Sequence, residues 1–173
     1  MGYALDRRWS DFYLPQIRQI VGPFLLEPAP DDIDMHEATD LVILKARDLR
    51  IACRVRRDEA SAAYPFDFTV RYSRPSGRET EHVKIMAGFG DLMFYGHASS
   101  ENTIGRWMLI DLDVFRSSLK QDPTYRFIRA KYKGNFDGSS SFYAYDVRSF
   151  PDWMVRASSH SIPFDFPSSG AAA

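Results

Sequence analysis

Two charge clusters lie almost end to end in this chain. From Glu27 to Asp40 there are six acids (Glu27, Asp31, Asp32, Asp34, Glu37 and Asp40) and no lysine or arginine. From Lys45 to Arg57 there are six bases and one acid, Asp48. Asp40 and Glu37, with Asp67 at the head of a later alternating stretch, are hard oxygen donors of the kind Mg²⁺ takes. Arg50, Arg54 and Arg56 alternate with Ile51, Cys53 and Val55, which separates a basic from an apolar strand face. Arg71 and Arg74 follow in the next strand and turn. Arg50, Arg54, Arg56, Arg71 and Arg74 are therefore candidates for one arginine-rich face. Guanidinium forks suit phosphate or carboxylate oxygens. Five of them together repel, so they require an anion, a partner or internal acids. The alternative is a salt-bridged sheet face, with Glu37, Asp40 or Asp67 as the acids. A second basic stretch, Arg126–Lys133, is interleaved with Phe, Ile and Tyr. That pattern suits single-stranded nucleic acid, although a solvated hairpin edge guarded by Lys and Arg is the simpler reading.

The elements that must position these groups are legible in outline. Trp9, Phe12, Tyr13, Ile17, Ile20, Val21 and Phe24 recur at helical spacing, with a break expected near Leu14 because Pro15 follows. Asp40–Lys45, Arg50–Arg56 and Asp67–Tyr72 read as three strands joined by short links, hence an antiparallel meander. Ser76 and Glu79 have the spacing of a capping box, opening a helix that runs to about Gly88 or Gly90. Leu92–His97 and Ile104–Asp111 are strands, and Asp113 is placed to cap a helix through Leu119. Residues 125–147 read as a hairpin turning at Asp137-Gly138. Phe150, Trp153, Met154 and Val155 form a docking turn. The expected organisation is one globular domain over residues 1–157, with a core at 7–121 and a hairpin extension at 122–157. Residues 158–173 read as a flexible tail ending in a cloning remnant.

The order helix, three strands, helix, strand, with Asp40 opening one strand and charged residues at i and i+2 on the next, resembles the PD-(D/E)XK restriction-endonuclease-like superfamily. Thr39-Asp40-Leu-Val-Ile-Leu stands where that family has its Pro-Asp strand, and Arg50–Arg56 where it has Glu-x-Lys. The resemblance covers roughly residues 7–121. It implies a mixed α/β fold with a central sheet flanked by helices. It also implies a Mg²⁺ that polarises a scissile phosphate and activates a water. This chain departs from the pattern at the decisive place. Its Glu-x-Lys slot reads Arg54-Val55-Arg56; Arg54 repels a divalent cation and Arg56 stays protonated. A rearranged site would use Asp40 and Arg56 as catalytic residues, Asp40 with Glu37 or Asp67 as metal ligands, and Lys84 in place of the lysine. Several segments, among them Cys53-Arg54-Val55-Arg56 and Ser73-Arg74-Pro75-Ser76-Gly77, also resemble prophage-associated proteins that carry no assigned activity.

Composition narrows the field. The chain has 173 residues, 45 % hydrophobic and 26 % charged, with a net charge of −1. These are ordinary globular values, long enough for a full core. No apolar run is long enough to span a bilayer. The single cysteine, Cys53, excludes an internal disulfide, reads as core filler and fits a reducing, cytoplasmic setting. His36, His82, His97 and His160 lack metal-ligand spacing. No dinucleotide, Walker or nucleophile-elbow motif occurs. Three functions follow as expectations. The first is a phage or mobile-element nuclease-fold protein that binds nucleic acid through its arginine face without cleavage or cofactor. The second is a Mg²⁺-dependent nuclease with a rearranged site. The third is an interaction module acting on a host or phage protein. No membrane partner is expected, and the sequence leaves the oligomeric state open.

Overall fold

A computed structural model describes residues 3–28, 41–43, 49–57, 62–99 and 103–165. The chain divides into two compact units, Met1–Leu49 and Arg50–Ala173. The first unit holds helix α1 (Tyr3–Val21), a 3₁₀ turn at Gly22–Leu25, and strands β1 (Leu26–Pro28) and β2 (Leu41–Ile43). The two strands pair antiparallel, Leu26 opposite Ile43. Helix α1 runs through Pro15 without the expected break. Proline removes one hydrogen bond, but its φ is helical. The buried stripe Tyr13, Ile17 and Val21 continues at four-residue steps across it.

The second unit carries the remaining elements. These are β3 (Ile51–Arg56), β4 (Asp67–Ser73), α2 (Glu81–Met86), β5 (Leu92–Ala98), β6 (Ile104–Asp111), α3 (Leu112–Gln121), β7 (Ala130–Gly134), β8 (Ser141–Asp146) and β9 (Val155–Ser158). They form a four-stranded mixed sheet, β3-β5-β6-β9, and a three-stranded antiparallel sheet, β4-β8-β7. The fold is thus mixed α/β with flanking helices. Among the described residues, no helix is long and apolar enough to cross a membrane.

The expected meander does not form: strands β2, β3 and β4 lie in three different sheets. Strand β3 pairs parallel with β5, Ile51 opposite Leu92. Asp91 starts that pairing, since the Arg50 backbone N–H donates to its carboxylate at 2.8 Å and the Asp91 N–H donates to the Arg50 carbonyl at 2.9 Å. The intervening β4 and α2 supply the length that a parallel crossover needs. Strand β4 instead matches its alternating Phe68 and Val70 to Tyr145 and Tyr143 of β8.

Helix starts also move by a few residues. Ser76 and Gly77 are spent on a turn, in which the Gly77 N–H donates to the Arg74 carbonyl and Gly77 takes φ +67°. Thr80 therefore caps α2. Asp111, two residues before the expected Asp113, caps α3 by accepting from the Asp113 and Val114 N–H groups. It also receives Arg156 from β9 at 2.6 Å. The hairpin forms as expected, with Gly138 at φ +67° in its turn. It is no appendage, because β8 is the central strand of its sheet and Tyr145 is fully buried. The expected loose tail is fixed as far as Asp165. Ser158 pairs with Met108, Ile162 and Phe164 pack on the core, and Asp165 meets Arg129.

Phe68 is the hub of the core. Its ring meets Tyr145, Phe115, Phe150 and Tyr95 at centroid distances of 5.5, 5.5, 5.9 and 6.3 Å. These rings come from β8, α3, the segment after β8, and β5. One side chain on the three-stranded sheet thereby ties both sheets and α3 together.

Candidate nucleic-acid interface

The five arginines expected on one face separate into three fates. Arg50 is bound to Asp91 at 3.2 Å. The Arg50 side chain and backbone hydrogen bonds hold the Asp91 carboxyl below its ordinary pKa. Arg54 points between the sheets, 2.6 Å from Glu81 and 3.2 Å from the Thr69 hydroxyl. The same Glu81 oxygen accepts the Arg71 backbone N–H at 3.0 Å, closing a free edge group of β4. Thr69 also meets the Tyr95 hydroxyl at 3.2 Å. Burial pushes that phenol's pKa up. Arg54 is thus an internal strut, neutralised by an acid the sequence reading had not assigned to it. Arg74 lies in the turn after β4, and its buried Nε has no hydrogen-bond partner among the described residues.

Arg56 and Arg71 have a different setting. In the three-stranded sheet, Arg71 of β4, Phe142 of β8 and Lys133 of β7 stand in register as one transverse row. Lys131 is two residues along β7 on the same face. Arg56 reaches over from β3 of the other sheet, its guanidinium carbon 6.0 Å from the Phe142 ring centroid. The Lys133 ammonium sits 4.4 Å from the Tyr64 ring centroid and donates to the Tyr64 hydroxyl at 3.4 Å. Tyr64 is 45 % exposed, Lys131 is exposed, and Phe142 and Lys133 are half-buried. Two rings and four cations from five segments are thus brought together. Within the four-stranded sheet, Arg56 also lines up with His97 and Arg106 on adjacent strands.

The opposite end of this face is acidic but internally balanced. Asp67 and Asp146 stand directly across β4 and β8. Burial works against ionisation of Asp146, but hydrogen bonds from Arg148 and Arg129 outweigh it and hold its carboxyl below the usual range. Asp67 goes the other way. Burial raises its pKa and the Asp146 charge adds to that, with Lys131, Lys133 and Arg148 only partly offsetting them. The folded state therefore favours protonated Asp67, a contribution to stability present below 3.8 and lost as pH rises through the elevated folded value. Asp67→Asn keeps the neutral form at every pH. Its gain in Tm over wild type should be larger at pH 7 than at pH 3, measured by thermal denaturation. An equal difference at both pH values would refute the raised pKa.

Of the expected metal ligands, Asp40 and Glu37 lie outside the described residues. Asp67 faces a carboxylate already committed to two arginines. Among the described residues no three His, Cys, Asp or Glu side chains group as a metal site. Lys84 is exposed in the last turn of α2. Sequence reasoning missed Phe142 as a neighbour of Arg56, and Lys133 as the partner of Phe142 and Tyr64. The signal was the basic, aromatic-interleaved stretch ending at Lys133, which read more simply as a guarded hairpin edge. No protein-family model, no curated protein and no solved structure matches this chain.

Proposed function

We propose that this protein binds nucleic acid through the side of its three-stranded sheet that carries Arg71, Phe142 and Lys133, and does not cut it. One observation carries the reading: Arg56 of one sheet lies over Phe142 of the other, and Phe142 stands in register between Arg71 and Lys133. Cations gathered from separate strands around aromatic groups provide phosphate contacts by charge and forked hydrogen bonding. The net charge of −1 gives no global attraction, so affinity has to come from this local patch. The absence of cleavage rests on the Arg54-Val55-Arg56 strand. Its first arginine is tied to Glu81, and its second lies over the Phe142 ring and, as a permanently charged guanidinium, repels a divalent cation. The mixed sheet with flanking helices is compatible with restriction-endonuclease-like descent, and we carry that ancestry, with its phage or mobile-element setting, as part of this proposal.

The test is a paired assay on labelled single- and double-stranded DNA and RNA, with Mg²⁺, with Mn²⁺ and with chelator. The expected result is salt-dependent binding, unaffected by chelator, with the substrate left intact. Metal-dependent cleavage lost in Asp40→Asn would replace this reading with the rearranged nuclease. A folded sample with no affinity at physiological salt would turn the patch toward a protein partner.

A further inference from the structure

We infer that the patch selects single strands, stacking exposed bases on Phe142 and Tyr64 while Arg71, Lys133 and Arg56 take the flanking phosphates. This rests on the nucleic-acid reading above and adds the strand state. The sheet places the groups in the order a single strand presents them, cation, ring, cation, across Arg71, Phe142 and Lys133. Adjacent strands are about 4.8 Å apart, so the two cations straddle the ring at roughly twice that distance. Tyr64 supplies a second ring beside Lys133. A duplex hides its base faces within its own stack, so rings on a sheet face contribute nothing to backbone contact with it. Every unpaired base offers a π-face, and stacking on an aromatic side chain tolerates any sequence. Arg56 lies over the Phe142 ring and Lys133 over the Tyr64 ring, so a phosphate that draws each cation off its ring leaves that π-face to a base.

The test compares oligo(dT), oligo(U) and a hairpin duplex by fluorescence anisotropy on the full chain. The variants are Tyr64→Leu, Phe142→Leu and the double variant. Leucine keeps most of the apolar volume at the half-buried Phe142 and removes the π-face. Circular dichroism and Tm confirm folding, and Tyr64, at the surface, provides a substitution that folding does not depend on. Wild type should favour one or both single strands over the duplex. Each leucine variant should weaken single-strand binding by about fivefold or more, with duplex affinity within about twofold of wild type. A preference for oligo(U) over oligo(dT), or the reverse, assigns the strand to RNA or DNA and supports the inference either way. Equal affinity for single strands and duplex, unchanged by either substitution, would overturn stacking while leaving the basic-face reading intact. No binding of any oligonucleotide would overturn both.

Discussion

Replacing Arg56, Arg71 and Lys133 together by alanine should weaken oligonucleotide binding by roughly tenfold or more at low salt and flatten its salt dependence. Each phosphate neutralised on a single strand contributes about 0.7 to the slope of log affinity against log salt, so three lost contacts remove about 2 from it. The comparison that gives this result its meaning is Arg50→Ala with Arg54→Ala. Arg50 is held by Asp91 and Arg54 by Glu81, so neither has a charge to spend on an external anion. Their removal should leave the slope unchanged. Arg54→Ala should instead lower Tm, because it strands Glu81 and Thr69 between the sheets. If both sets of variants flatten the slope equally, the assignment of the anion contacts to Arg56, Arg71 and Lys133 is wrong. If neither does, the anion site lies elsewhere.

The second large effect is expected at a residue that touches no ligand. Phe68→Ala should cost about 3–5 kcal/mol of unfolding free energy, the usual range for removing a fully buried phenylalanine. Phe68 is completely buried and in ring contact with Tyr95, Phe115, Tyr145 and Phe150. The consequence reaches the interface because Phe68 links the sheet bearing Arg56 to the one bearing Arg71, Phe142 and Lys133. Phe68→Leu keeps most of the volume and should be much milder. Urea unfolding of both variants measures the first effect, and oligonucleotide binding of the folded fraction measures the second. A Phe68→Ala loss below about 1 kcal/mol would show that the two sheets are held together by something other than this aromatic hub.

Local chemistry was legible residue by residue. The alternation in Arg50–Arg56 and in Asp67–Tyr72 marked real strands, and the turn at Asp137-Gly138 marked a real hairpin, because side-chain period and turn preference act over a few neighbouring residues. Even the errors were local in scale. Thr80 and Asp111 took the caps expected of Ser76 and Asp113, since several small polar residues near a helix start compete for the same free N–H groups. The continuous helix through Pro15 shows a buried stripe outweighing one missing hydrogen bond.

Partnership was not legible, and partnership decides the site. Alternation tells a strand which face to bury but not which strand to lie beside. Short links therefore suggested a meander where β3 crosses over to β5, held by Asp91, and β4 joins β8. The same limit applied to charge. The sequence by itself determined that this chain carries clustered arginines on a strand and a basic, aromatic stretch near its hairpin. Only the tertiary structure decided that Glu81 neutralises Arg54, that Asp91 takes Arg50, and that Arg56 meets Phe142 between Arg71 and Lys133. Those outcomes depend on contacts between residues far apart in the chain, which form only once the core has fixed the two sheets.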